Sequence, residues 1–359
     1  MRALRIYAGP KAMAALHAQG GLAPEQVRVI PAAAGGPKGL MLLRLDQLIF
    51  GDWLKNSTAP VHLVGASIGA WRMATACMAD PLPAIQRLEH DYIHQRFEPQ
   101  DGRRKPTARQ VSEAFSGSLQ AFYEGHVQDV LHHPNRFLHV VMSQGQSLLS
   151  QSGAVRTPLG FAAAFLANAV SRRHLNHWLQ RGIVTSEQTP ALPVRDDGMV
   201  THRWPLSMDN FMLAVRASCS IPFAMEPVQN IPGLPEGTYW DGGLTDYHLH
   251  WGYDLAPDEV VLYPHFQRAV IPGWLDKSWR RRHAATAALD QTVVLAPDPA
   301  WVAQLPGGKL PDRHDFVTFA NDFEGRVNAW LSAVNQSQQL ADEWQAWLQK
   351  PDMRRVEPL

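Results

Sequence analysis

Two short runs of β-branched and apolar residues, at positions 27–31 (Val-Arg-Val-Ile-Pro) and 61–64 (Val-His-Leu-Val), are each followed by glycine and then by a helical pattern. After the first run Gly35 and Gly36 break the chain, and Leu42, Leu45, Leu48 and Ile49 recur within residues 40–50 as one face of a helix. After the second, a glycine-containing turn leads into residues 70–78, again helical. Strand, turn and helix twice in succession predict an α/β fold with a mainly parallel sheet, because parallel neighbours need a crossover between them. Residues 136–142 and 260–263 predict further strands, and residues 84–96, 158–181 and 208–217 predict helices. Within the second of these helices, residues 160–168 are apolar on nearly every side and predict a buried helix. That run falls far short of the roughly 20 residues needed to cross a bilayer. Residues 188–203 are polar, with Asp196-Asp197-Gly198 as a hairpin turn. From 322 to 348, Phe323, Val327, Trp330, Val334, Ala341, Trp344 and Leu348 form the apolar stripe of a C-terminal helix docked on the body.

No repeat, low-complexity tract or linker divides the 359 residues. The 33 basic and 33 acidic residues cancel, which argues against a nucleic-acid binder and against a polybasic membrane anchor. Two cysteines, Cys77 and Cys219, cannot build a disulfide framework and fit a reducing compartment as inert buried thiols. The first twenty residues lack the apolar core of a signal peptide, so a cytoplasmic location is expected.

Three places carry candidate chemistry. Gly65-Ala66-Ser67-Ile68-Gly69 lies between a strand and a helix, where a serine nucleophile needs small neighbours and a helix N-terminus faces the developing oxyanion. Alone, it fits a plain glycine turn equally well. Ala34-Gly35-Gly36-Pro37-Lys38-Gly39 lies at the same kind of strand–helix turn, hence at the same edge of a parallel sheet. A phosphate loop would need Ser or Thr after the lysine, and Gly39 stands there, so an oxyanion hole is the better assignment. Tyr239-Trp240-Asp241-Gly242-Gly243 ends a short strand and on its own reads as a hairpin turn.

In this order the three motifs resemble the patatin-like phospholipase family, whose pattern is a glycine-rich loop ending Lys/Arg-Gly, then Gly-x-Ser-x-Gly, then Asp-Gly-Gly or Asp-Gly-Ala. A fourth match is Ala217-Ser218-Cys219-Ser220-Ile221-Pro222, similar to the family's Ala-Ser-x-x-Ile-Pro segment. The resemblance runs from Val27 to Gly243 and on to Tyr263, about two-thirds of the chain. It implies a three-layer α/β/α fold with a mainly parallel central sheet, with residues 1–270 as the catalytic domain and 271–359 as a helical extension packed on it. It also implies a serine acyl hydrolase of lipid esters with a Ser67–Asp241 dyad. The oxyanion hole would draw on Gly35, Gly36, Lys38 and Gly39, and Gly65, Gly69, Gly242 and Gly243 would shape the turns. No cofactor and no metal are implied; the partner is a lipid or other acyl ester. The departures are Ala33 and Ala34 where the family has Asp-Gly, Pro37 with no N–H, and Asp246-Tyr247-His248 where the family often has Asn-x-Pro.

Two other functions compete. A conventional Ser-His-Asp hydrolase could recruit His248, His250, His265, His283 or His314, but leaves the glycine loop and Asp-Gly-Gly without a task. A catalytically silent acyl-binding protein is suggested by the altered loop and opposed by the retention of Ser67 and Asp241. His248-x-His250 would share one face of a strand, with no further ligand spacing to support a metal. Arg280-Arg281-Arg282, near Trp274 and Trp279, fits an ordinary solvated face and also suits a transient contact with a membrane surface.

Overall fold

Alternate residues of the strand Val61–Ala66 enter two different cores: Val61 and Leu63 pack on one side, Val64 and Ala66 on the other. A strand apolar on both faces must be covered on both, and this one lies inside a layered α/β/α arrangement. The computed structural model describes residues 2–99, 105–186 and 189–359. Gln188, the predicted start of the turn-rich segment, lies outside them.

The strands in chain order are β1 (Leu4–Ala8), β2 (Val27–Ala32), β3 (Val61–Ala66), β4 (Arg136–Gly145), β5 (Leu179–Ser186) and β6 (Thr201–Leu206). They continue with β7 (Val228–Gln229), β8 (Thr238–Asp241), β9 (Val260–Pro264), β10 (Thr292–Pro297) and β11 (Val356–Pro358). Across the sheet the order is β11-β1-β10-β9-β2-β3-β4-β5-β6, with β8 added between β4 and β7. The central run β10-β9-β2-β3-β4 is parallel throughout. β1, β5 and β8 pair antiparallel with β10, β4 and β4. The crevice above the carboxyl ends of the central strands is where such a sheet binds ligands.

Several elements depart from the sequence pattern. The helix expected over 158–181 is the helix Arg156–Val170, a 3-10 turn Arg172–His177, and then β5. Ser171 breaks it: its backbone is extended, at φ −157° and ψ 140°, and its hydroxyl accepts from the Arg173 N–H. Nor is the helix buried all round. Gly160, Phe161, Ala164 and Asn168 face the protein, while Leu159, Leu166 and Val170 face outward. Asp196-Asp197-Gly198 is not a hairpin turn, because the strand it leads to, β6, runs parallel to β5. The C-terminal stripe is two helices, Phe323–Gln336 and Gln338–Gln349, meeting at the buried Ser337. The segment after residue 270 also contributes β10 and β11 to the sheet, so it is not helical alone.

One buried ion pair ties the two turns of interest together. Arg72, on the helix Ile68–Ala76, donates from Nε and Nη2 to the carboxylate of Asp46 at 2.7 and 2.8 Å. Asp46 lies on the short helix Leu43–Leu48 that follows the glycine loop, and both side chains are almost wholly shielded from solvent.

Candidate active site

Ser67 sits between β3 and the helix Ile68–Ala76 with φ 57° and ψ −128°, a left-handed backbone that a non-glycine residue adopts only under constraint. The flanking glycines supply the room for that turn. A Cβ on Gly65 would fall 2.4 Å from the Ala70 backbone, and one on Gly69 would fall 1.9 Å from the Ala32 carbonyl oxygen. The tight turn aims the serine at the end of β8, where its Oγ donates to Asp241 Oδ2 at 2.7 Å. The other carboxylate oxygen, Oδ1, accepts from the Gly243 N–H at 2.7 Å. Gly242 is forced to be small as well, since a Cβ there would meet the Val141 carbonyl oxygen at 2.1 Å.

The segment after the helix Phe211–Ser218 braces both residues. Ser218 Oγ accepts from the Ser67 N–H at 2.9 Å and donates to the Val141 carbonyl at 2.6 Å. The Ser218 and Ser220 carbonyls accept from the N–H groups of Gly242 and Asp241 at 3.1 and 3.0 Å. The Ala-Ser-x-x-Ile-Pro motif, read in the sequence without a task, thus holds the elbow and the aspartate in one frame.

The glycine loop opens a 3-10 turn, Gly36–Leu42, beside the elbow. Gly36 is at φ 56°, and with Pro37 it lines the cavity into which Ser67 opens. Gly35 lies against Phe266, and Lys38 Nζ stands 5.3 Å from the centroid of the same ring. Gly39 lets the loop press onto the elbow helix, where a Cβ would lie 3.0 Å from Ile68 Cγ1.

Burial raises the Asp241 carboxyl above its ordinary value, against the opposing pull of Arg313, the Ser67 hydroxyl and the Gly243 N–H. A more basic carboxylate is the change a proton acceptor for serine needs. Arg313 escaped the sequence reading: it sits in a polar stretch between Asp312 and His314, and only the fold brings it to Gly36. A Cβ on that glycine would lie 3.0 Å from Arg313 Nε.

The cavity over Ser67 measures about 1080 Å³ and is walled largely by apolar side chains, among them Ile68, Trp71, Phe115, Ile221 and Phe316. Cys219 also lines it, and burial holds its thiol, like that of Cys77, above the ordinary cysteine range.

None of the five candidate histidines lines the cavity containing Ser67. His250 engages the Val270 carbonyl and Thr286 Oγ1 at 2.6 and 2.8 Å, and His283 engages the Asp276 carbonyl at 3.0 Å. His248 Nδ1 accepts from the Ile271 N–H at 3.0 Å, and His265 Nδ1 lies against the Gln267 carbonyl. His248 and His250 stand on irregular chain rather than a strand, since Leu249 between them is at φ 47°. Among the described residues, no three His, Cys, Asp or Glu side chains gather as a metal-ligand set.

No family model and no curated protein matches this chain. Among solved structures it is similar to VipD from Legionella pneumophila, with a TM-score of 0.35 and 15% identity, covering 95% of this chain and 70% of that one.

Proposed function

We propose that the protein is a serine acyl hydrolase acting on carboxylic esters of lipids, in the manner of a phospholipase A or lysophospholipase, as the resemblance to patatin-like phospholipases implies. The observation that carries this reading is the 2.7 Å hydrogen bond from Ser67 Oγ to a buried carboxylate, made at a strained elbow that opens into an apolar cavity.

In the proposed reaction Ser67 Oγ attacks the ester carbonyl carbon as its proton passes to Asp241 Oδ2. The N–H groups of Gly36 and Lys38, with the N-terminus of the helix Ile68–Ala76, hold the tetrahedral oxyanion; Pro37 has no N–H to give. Collapse of the intermediate breaks the bond to the alcohol, which leaves with the proton from Asp241. Water then gives its proton to Asp241 and attacks the acyl-serine, releasing the carboxylic acid and restoring Ser67. The Gly243 N–H keeps the carboxylate oriented through both halves.

A fluorophosphonate probe tests the reading. Wild type is expected to form an adduct located to Ser67 by mass spectrometry, and Ser67→Ala to form none. Absence of any adduct, with detergent or lipid present, favours a silent acyl-binding protein.

Arg313 gives a prediction of its own. Because its charge favours the ionised form of Asp241, Arg313→Gln is expected to move the acidic limb of the kcat/KM profile to higher pH. A limb that stays in place would mean that Arg313 does not set the base.

A further inference from the structure

We propose that the outward face of the helix Arg156–Val170 is a docking surface for lipid bilayers with anionic headgroups, placing the Ser67 cavity at the membrane; this rests on the reading of that cavity as a lipid-ester site. Val155, Leu159, Leu166 and Val170 are 68%, 56%, 66% and 73% exposed, at spacings of four, seven and four that put them on one stripe. Scattered exposed apolar residues need no explanation, but four aligned along one helix do. A 15-residue helix is about 22 Å long, suited to lying along a surface. No helix among the described residues is long and apolar enough to cross a membrane.

The surroundings choose the partner. Residues 130–186, which include the whole helix, contain no Asp or Glu. Arg156 and Arg173 stand exposed at either end of the stripe. Trp279 stacks on Phe165 of the same helix at 5.9 Å, and Arg281 lies over the Trp279 ring. The arginine cluster noticed in the sequence therefore adjoins the stripe. Apolar residues edged by arginine and tryptophan are the make-up of an interfacial helix on anionic lipid. A second copy of this chain fits poorly, because a two-fold contact would bring Arg156 and Arg173 of one copy onto those of the other, while Asp276, the carboxylate that touches this helix at Asn168, is buried and already held by Arg172 and Arg282.

The stripe also leads to the cavity. Phe161, on the inner face, packs edge-on against Trp240, the neighbour of Asp241, at 5.2 Å, and against Phe223 at 5.8 Å. Phe223 is 65% exposed, is held at φ 67°, and lines the cavity containing Ser67. An acyl chain leaving the bilayer beside this helix meets aromatic surface on its way to the serine.

The test uses Ser67→Ala protein, so that binding is read without chemistry. It is expected to float with vesicles of phosphatidylcholine mixed with phosphatidylglycerol, and less with phosphatidylcholine alone. Adding Leu159→Asp and Leu166→Asp should weaken that binding by about tenfold or more, since each removes a buried leucine from the contact. Both substitutions face solvent, and an unchanged thermal melt and circular dichroism spectrum would show that the fold is kept. Arg280→Gln with Arg281→Gln should erase the preference for anionic vesicles. In the Ser67 background the leucine pair should lower hydrolysis of vesicle lipid and spare that of a water-soluble short-chain ester. The proposal is overturned if Ser67→Ala protein floats with neither vesicle, if the leucine pair floats unchanged, or if that pair instead dissociates a dimer seen by gel filtration. Flotation that persists in a protein hydrolysing no ester would sustain the docking surface and sink the reading of the cavity.

Discussion

Asp241→Asn is expected to slow ester hydrolysis by about 10²–10⁴-fold, the range for losing a positioned general base, and at neutral pH to raise the temperature of unfolding. The loss follows from geometry: an amide keeps the contacts to Ser67 and Gly243 but cannot take the serine's proton. The gain follows from linkage. Burial raises the native carboxyl above the 3.8 of an unperturbed aspartate, so across the interval between the two values the native state holds more protons than the unfolded chain. Stability contributed at this position is present below pH 3.8, falls as pH rises through the native value, and stays lost at neutral pH. The uncharged amide escapes that penalty. Thermal melts of both proteins across pH should converge at acid pH and separate toward neutrality, with the variant higher. Hydrolysis that survives the change would assign the base to another group, and melts that never separate would remove the electrostatic account.

The second large effect concerns the Arg72–Asp46 pair. Asp46→Ala is expected to cost about 3–5 kcal/mol of unfolding free energy, because it leaves the buried guanidinium without a counter-charge. Denaturant unfolding measures this directly. Replacing both members by apolar residues of similar volume should recover most of the loss, since the pair gives back little beyond its own desolvation. The single variant should also lower activity: the pair spans from the helix behind the glycine loop to the helix behind Ser67, and fixes their separation. An Asp46→Ala protein as stable as wild type would mean that water or a rearranged carboxylate reaches Arg72.

What could be read from the chain alone follows the kind of signal each element carries. β2 and β3 are β-branched runs ended by glycine, and their boundaries in the structure lie close to those the pattern predicts. β5 is lost in the sequence because Leu175, Trp178 and Leu179 continue the preceding helix's apolar spacing, and the extended Ser171 and the 3-10 turn after it are what separate the two. The helix Ala108–Tyr123 goes unread because small and polar residues make up most of it, and Phe115, Leu119 and Phe122 mark one thin buried face. The exposure of Leu159 and Leu166 was equally hidden, for a helix apolar on all sides does not say which face has a partner. At the site, the chain itself marks Ser67 and Asp241 through the glycines their turns require. The positions of Arg313 and of the Ser218 hydroxyl are set by contacts between distant segments, which no local pattern records.

Ser67 and Asp241 are 174 positions apart, and both are framed by the segment holding Ser218 and Ser220. At ~5–20 residues per second of synthesis, the base emerges from the ribosome about 9 to 35 seconds after the nucleophile. Until Ser218 is made the elbow lacks its brace, until Asp241 is made it lacks that carboxylate, and β2, which bears the glycine loop, gains its neighbour β9 later still. Under the proposed chemistry a half-made chain therefore holds a serine that cannot act on nearby lipid. On that reading reactivity waits at least until Asp241 has been made, so the order of the motifs along the gene works as a delay.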